Sequence, residues 1–343
     1  MSYKTWDEIS LEQKVAARLL KNHISLHRLN HAYIFEGVKG TRKSEIAEFF
    51  TKAILCKHLD ESLNPCHECD HCQRIDSGSH PNVFIVKPDG QMIKKEQIKS
   101  LIEEFSKTSL ESGPRVNIIY EADKFNLSSA NSLLKTMEEP GEDIYQIMIT
   151  ENVQALLPTI KSRGEVIHFK ELDRGIIREK LQSIGIDASY ANPISQYTSD
   201  ISAAVEIAND ELMIEIIDLV IDVYEAMSDP KKSVIITFLE NGGKVIADQS
   251  RTEFFLDLMI IFQKDIIQSK LKNDHICFYS HHFLIESLSK KIDLNTAKDH
   301  LEKLLELSMR IKYNINKILA FNELLMVLER GYKNATQSRR NPI

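Results

Sequence analysis

Gly37-Val38-Lys39-Gly40-Thr41-Arg42-Lys43-Ser44 decides the reading of this 343-residue chain. A short apolar run, Ala32-Tyr33-Ile34-Phe35, precedes it, and Ile46, Phe49, Phe50, Ala53 and Ile54 follow at helical spacing. Strand, glycine loop and helix in that order form a phosphate-binding loop, where backbone N–H groups and a helix N-terminus face an anion. The full pattern is G-x-x-x-x-G-K-[ST]. Gly37, Lys43 and Ser44 fit it and Gly40 lies inside it, but Arg42 stands where the second glycine belongs. A glycine there lets the backbone wrap the phosphates, so the arginine side chain is expected to crowd the nest. The loop reads as a nucleotide site with one part replaced.

Outward from the loop, short apolar runs alternate with helical patterns. Val83–Val86, Val116–Tyr120, Ile147–Thr150 and Val166–Phe169 read as strands, and Ile93–Phe105 and Asn126–Glu139 as helices. This alternation predicts a parallel sheet covered on both faces. Residues 8–29 carry apolar positions of one amphipathic helix ahead of the first strand. Beyond Phe169 the texture changes to helical patterns alone: 176–184 and 201–208 with polar turns around Gly185 and Pro193, then 212–227, 233–239, 253–271, 297–305 and 315–328. The expected organisation is an α/β domain over 1–170, a small helical domain over 171–209, a helical bundle over 210–335 and a polar tail over 336–343. A chain of this length is too long for one ordinary core.

Composition excludes several classes. Hydrophobic content of 43% and charged content of 27% are those of a soluble globular protein. No apolar run approaches the roughly 20 residues that span a bilayer, and Met1–Trp6 lacks a signal-peptide core, so a cytoplasmic protein without a membrane partner is expected. A formal net charge of −7 opposes nucleic-acid binding by bulk electrostatics.

Four of the five cysteines fall at 56, 66, 69 and 72. Cysteines two residues apart put two thiolates on one ion, and Cys56, Cys66, Cys69 and Cys72 complete a tetrahedral zinc shell. A closed four-sulfur shell leaves no position for water, so the Zn2+ would be structural. His58, His67 and His71 read as solvated loop residues beside it, and Cys277 as a core residue.

A nucleotide-hydrolysing site also needs an acid at the end of a buried strand to organise magnesium, beside a glutamate that orients water. Here the strand ends Ile119-Tyr120-Glu121-Ala122-Asp123. Glu121 suits the water-orienting role, while Tyr120 stands where the magnesium acid belongs, and a phenol is no substitute for a carboxylate. Glu121 and Asp123 also suit capping of the next element.

Taken together, His31–Phe35, the four-cysteine insertion, Ala130-Asn131-Ser132-Leu133-Leu134-Lys135-Thr136-Met137-Glu138-Glu139-Pro140, Ser162-Arg163-Gly164 and Asn314–Ala320 resemble bacterial DNA polymerase III clamp-loader subunits, an AAA+ family. The replaced glycine and magnesium acid place the resemblance with the delta-prime branch rather than the ATP-hydrolysing tau/gamma branch. The resemblance implies an AAA+ α/β P-loop domain, a helical lid and an all-α collar that assembles with other subunits. It implies that Ser162 and Arg163 match a Ser-Arg-Cys motif whose arginine reaches ATP/Mg2+ held by a neighbouring subunit, with Gly164 in place of the cysteine. Thr150 matches the sensor-1 position, and no sensor-2 arginine is evident around Ser199–Ser202. Implied partners are the tau/gamma and delta subunits and, indirectly, the sliding clamp and primed DNA. The implied role is a non-hydrolysing stator with no turnover of its own, within the DNA polymerase III holoenzyme (a nucleotidyltransferase). Lys135 and Glu138 can face a partner, the DNA backbone or solvent. The surviving Lys43, Ser44 and Glu121 keep an active tau/gamma-like ATPase open, and the zinc module a nucleic-acid adaptor acting alone.

Overall fold

Five apolar segments build one parallel sheet: β1 Ala32–Glu36, β2 Val83–Val86, β3 Arg115–Ile119, β4 Ile144–Thr150 and β5 Glu165–His168. Their order is β2-β3-β4-β1-β5, and Ile34 of β1 lies between Met148 and Val166. The computed structural model describes residues 3–106, 111–273, 275–313 and 315–338. Two compact units divide the chain, Met1–Asp173 and Arg174–Ile343.

Period-two alternation along each strand feeds two cores, one on each face of the sheet. Tyr33, Phe35, Ile118 and Ile147 pack on one face with Leu20, Phe49 and Phe50. Ile34, Ile119 and Met148 pack on the other with Ile98, Leu101, Leu133 and Met137. The helices supplying these side chains are α1 Trp6–Glu12, α2 Lys14–Ser25, α3 Lys43–Leu55, α4 Asp70–Asp76, α5 Lys95–Ser106 and α6 Leu127–Glu138, followed by the single turn α7 Pro158–Lys161.

The single helix expected over 8–29 is in fact two, α1 and α2, broken at Gln13 (φ −135°, ψ 59°). The buried Gln13 amide explains the break. Its Nε2 donates to the Thr41 carbonyl at 3.1 Å and to the Lys170 carbonyl, and its Oε1 accepts the Lys170 N–H at 3.1 Å. Leaving the helical path at one residue lets that side chain tie the N-terminal helices to the glycine loop.

In the second unit the elements among the described residues are all helices, the longer ones being α8 Arg174–Ser183, α9 Ala188–Tyr197, α10 Ile201–Asn209, α11 Glu211–Ser228, α12 Val234–Asn241, α13 Gly243–Ile246, α14 Gln249–Lys270, α15 His282–Lys291, α16 Leu294–Arg310 and α17 Lys317–Ser338. The segments read as lid and collar thus share one unit. Pro193, read as part of a turn, sits inside α9, whose start is fixed by Asp187 accepting the Ser189 N–H at 2.8 Å. The helix α17 runs through Ser338, into the segment read as tail, while 339–343 lie outside the described residues. Asn314 also lies outside them. Asn316, from the same motif, accepts the Leu319 N–H at 3.1 Å and so caps α17. No helix among the described residues is long and apolar enough to cross a membrane.

Candidate functional site

The glycine loop and the ends of β3 and β4 open on the carboxyl edge of the sheet, where open α/β folds place ligands. Gly37 must be glycine, because a Cβ there would lie 2.6 Å from the Phe169 carbonyl oxygen. Arg42 adopts the left-handed region that the missing glycine would favour (φ 59°, ψ 20°). That conformation costs on the order of 1 kcal/mol for a residue with a Cβ. The expected crowding does not occur. The Arg42 side chain turns away to lie 4.4 Å over the Tyr3 ring, with Nε 3.4 Å from Glu45 and 3.9 Å from Glu12.

Inside the loop, Lys43 Nζ donates to the Val38 carbonyl at 3.0 Å, and Thr41 Oγ1 donates to the same oxygen at 2.9 Å. Burial pushes the Lys43 ammonium below the usual lysine range, against the pull of Glu151 and Asp123. Ser44 follows it in the first turn of α3, half-buried. Past β3, Tyr120 donates its hydroxyl to Glu48 Oε1 at 3.0 Å, so a phenol bonded to α3 stands where the sequence reading expects a magnesium acid. Burial first, then Glu48, raises that phenol and keeps it protonated. Glu121 sits at φ 52° with its carboxylate paired to Lys124. The capping role considered for Glu121 and Asp123 is not taken up, since the turn Ala122–Lys124 has no side-chain cap from Glu121 and Asp123 points elsewhere. Asp123 Oδ1 accepts the Thr150 hydroxyl at 2.9 Å and the Glu151 N–H at 3.3 Å. The sensor-position threonine is therefore buried and already bonded.

Arg163 lies one residue past the Ser162 that ends α7, and Ser162 Oγ donates to the Thr159 carbonyl at 3.1 Å. Arg163 Nη1 donates to the same carbonyl at 3.0 Å, and Nη2 to Glu138 Oε1 at 2.8 Å. Its side chain is 33% exposed. Glu138, at the end of α6, thus faces an arginine of its own chain. Sequence reasoning missed this partnership because 25 residues separate the two. A Cβ at Gly164 would come within 2.9 Å of the Ile34 side chain, so the smallest residue suits this packing better than a cysteine.

The four cysteines converge: Cys56, Cys66, Cys69 and Cys72 place their sulfurs all within 4.8 Å of one another. Cys56 follows α3, Cys69 precedes α4, and Cys72 is fully buried within it. Cys56 Sγ accepts the N–H groups of His58 at 3.4 Å and Cys66 at 3.3 Å, and Cys66 Sγ accepts that of Cys69 at 3.3 Å. Burial works to raise the Cys66 thiol, but the Glu68 and Cys69 N–H groups outweigh it and bring it down to about 6. Four sulfurs at this separation, with N–H groups aimed at two of them, form a donor set that fits a structural zinc ion. The module docks on the N-terminal helices, as Trp6 Nε1 donates to the Leu63 carbonyl and the Trp6 N–H to Asn64 Oδ1, both at 2.8 Å.

Of the nearby histidines read as solvated, His67 is half-buried and His71 is buried. His67 Nε2 donates to the Lys4 carbonyl at 3.0 Å, and its ring packs against Phe49. His71 is buried, its Nδ1 2.8 Å from His80 Nε2, and Glu111 lies within 4.8 Å of the pair. Proton bookkeeping argues against a second metal site here. His80 Nδ1 accepts the Asn82 N–H at 3.1 Å, so the neutral ring keeps its proton on Nε2 and donates it to His71. Glu111 is engaged by both nitrogens of the Arg74 fork, at 2.6 and 2.8 Å.

This sheet order, with a glycine loop after β1 and a helical second unit, defines a P-loop α/β protein of the AAA+ type. A family model described as "DNA polymerase III, delta subunit" matches residues 12–173. The DNA polymerase III subunit delta' of Bacillus subtilis (strain 168) is 33% identical over 328 residues, covering 95% of this chain and 99% of the relative. DNA polymerase III subunit tau of Escherichia coli (strain K12) is 33% identical over 165 residues, 48% of this chain and 25% of tau. A solved gamma subunit-related protein of Thermotoga maritima aligns with TM-score 0.45 at 16% identity, over 91% of this chain and 99% of that one. The chain belongs to the DNA polymerase III delta' family of clamp-loader subunits.

Proposed function

We propose that this chain is a stator of the clamp loader that does not hydrolyse ATP itself and supplies Arg163 in trans to ATP and Mg2+ held by a neighbouring tau/gamma subunit. One observation carries the reading. Lys43, Tyr120 and Thr150 are held inside the loop region by groups of this chain, whereas Arg163 stands partly exposed, with one backbone bond and one exchangeable carboxylate contact. A guanidinium brought to a transferred phosphoryl group compensates its developing charge, an effect worth 10³ or more in rate. A triphosphate offers the Arg163 fork more charge than Glu138 does, so the guanidinium can exchange one partner for the other. The helical second unit would join the collar, the delta subunit would border the α/β unit, and the assembly would place the sliding clamp on primed DNA. Cys56, Cys66, Cys69 and Cys72 would hold a Zn2+ whose contribution is to fix the segment between α3 and β2.

The test is Arg163→Ala in a loader reconstituted from tau/gamma, delta and this chain. The expected result is loss of DNA-stimulated ATP hydrolysis at the adjoining site with assembly intact, and an unchanged rate rejects the role. The 33% identity to tau favours a second reading, an ATPase in its own right. Micromolar, magnesium-dependent ATP binding with turnover by the isolated chain would establish it and remove the stator.

A further inference from the structure

Arg174 and Arg178 of α8, Lys264 and Gln268 of α14, Gln196 of α9 and His275 in the loop after α14 line one cleft of the second unit, with a volume of about 550 Å³. Arg174 is oriented by donating Nη1 to the Ser195 carbonyl at 3.1 Å. The side chains of Arg178 and Lys264 have no ion-pair or hydrogen-bond partner among the described residues and reach solvent. The acid in this cleft, Asp265, does not neutralise them. It is buried, and its two oxygens accept the N–H groups of Cys277 at 3.0 Å and Phe278 at 2.7 Å, which fastens the end of the loop carrying His275. Cys277, read from sequence as core, is only half-buried and lines the same cleft.

In a chain with 50 acidic and 43 Lys and Arg side chains, three permanent cations around one concavity are an uneven use of scarce positive charge. We propose that this cleft is a binding site for a phosphate-bearing anion of nucleotide size, held by Arg174, Arg178 and Lys264. Guanidinium forks match phosphate oxygens two at a time, a lysine ammonium adds a mobile point charge, and the flanking amides of Gln196 and Gln268 are neutral donors. The volume falls in the range of small-molecule sites, roughly 300–1,000 Å³. The phosphate can come from a free nucleoside polyphosphate or from a nucleic-acid backbone, and the chemistry of recognition is shared. The site uses no residue of the glycine loop and stands apart from the role of Arg163.

The experiment titrates the full-length chain with inorganic pyrophosphate, without magnesium and at low salt, by isothermal calorimetry. It compares the chain with Arg178→Glu/Lys264→Glu and with Lys43→Ala. Binding weakened by about tenfold or more in the double variant and unchanged within about twofold in Lys43→Ala is the expected result. No measurable binding, or binding that falls with Lys43→Ala and survives the double variant, overturns the proposal. Both substituted side chains are exposed, and Arg178→Gln/Lys264→Gln, expected to weaken binding less, serves if the charge reversal fails to fold. Parallel titrations with ATP and with a short oligothymidylate decide the source. Sensitivity of either ligand to the double variant assigns it, and insensitivity of both rejects the site.

Discussion

The glycine loop and the Arg163 corner belong to the same unit and treat their charged side chains in opposite ways. In the loop, Lys43 is buried and donates a hydrogen bond to the Val38 carbonyl of its own loop. Tyr120 reaches Glu48, and Thr150 reaches Asp123. Each of these three has a partner at hydrogen-bond distance, with Lys43 and Thr150 buried and Tyr120 half-buried. At the corner, Arg163 has one backbone and one carboxylate partner and keeps a third of its side chain in solvent. Interactions that close a site on itself serve the fold, whereas a partly exposed ion pair is worth about 1 kcal/mol or less and gives way to a more highly charged ligand. A motif can therefore organise a sheet while the side chain left more open to a ligand lies elsewhere.

The scaffold under the loop is the place to break this contrast most severely. The cysteine module packs on α3, the helix that the loop opens, and holds Trp6 through Leu63 and Asn64. Four-thiolate zinc sites contribute on the order of 10 kcal/mol of binding free energy that becomes folding free energy. Complete chelation should therefore release Trp6, the chain's single tryptophan, with a red shift in its fluorescence and a lower melting temperature. Emission and melting that stay unchanged after the metal is gone would remove zinc from the account.

Next in size is the chemistry of the corner. Arg163→Lys keeps one positive charge and loses the planar fork that spans Thr159 and Glu138. Lysine is a point charge and does not replace a bidentate guanidinium at a phosphoryl group. Hydrolysis by the adjoining subunit in a reconstituted loader should fall by roughly 10² or more, close to the effect of alanine. Near-complete rescue by lysine would show that charge alone acts there and would weaken the contrast between corner and loop.

How much of this was legible in the sequence follows from the range of each interaction. The five strands and most helices announce themselves locally, because alternation and 3.6-residue spacing are set by neighbours a few residues away. The cysteine cluster is legible for the same reason, three of its cysteines falling within seven positions, from Cys66 to Cys72. Arg42 misled in one respect. Its residue type foretold a changed nest, but the direction of its side chain depends on Tyr3 and Glu12, which only the folded chain brings near. Glu138 and Arg163, or Gln13 and Lys170, pair across 25 and 157 residues, and no periodicity reports such pairs. The helix containing Pro193 was hidden because proline usually ends a helix. His71 was hidden because a histidine among clustered cysteines looks like loop until His80 is seen against it.

A smaller effect tests whether the Arg163 tether restrains or supports. Glu138 holds Nη2 of Arg163, a nitrogen that the proposed role would turn to phosphate. Glu138→Ala should let the guanidinium reach the neighbouring nucleotide without first leaving a partner, raising hydrolysis at subsaturating ATP by about two- to fivefold, in keeping with a partly exposed pair. The gain should shrink as salt rises, since screening already weakens the pair in the parent chain. A fall in rate that salt leaves unchanged would identify Glu138 as a support that holds Arg163 in its working position.

The smallest change is expected where the sequence motif is strongest. Lys43→Ala removes the ammonium that a working phosphate-binding loop uses most directly, and in an ATP-hydrolysing subunit it would abolish turnover. In this chain the lysine is bonded to Val38, burial depresses its pKa, and Tyr120 stands where a magnesium carboxylate would be required. Thr41 still donates to the Val38 carbonyl at 2.9 Å after the substitution, so that acceptor stays satisfied. Loader activity should therefore remain within about twofold of the parent, and the chain's stability within about 1 kcal/mol, a buried cation and one hydrogen bond being lost together. A collapse of activity with folding intact would mean that the loop still binds a nucleotide the assembly needs, and the division between a structural loop and a reactive corner would have to be withdrawn.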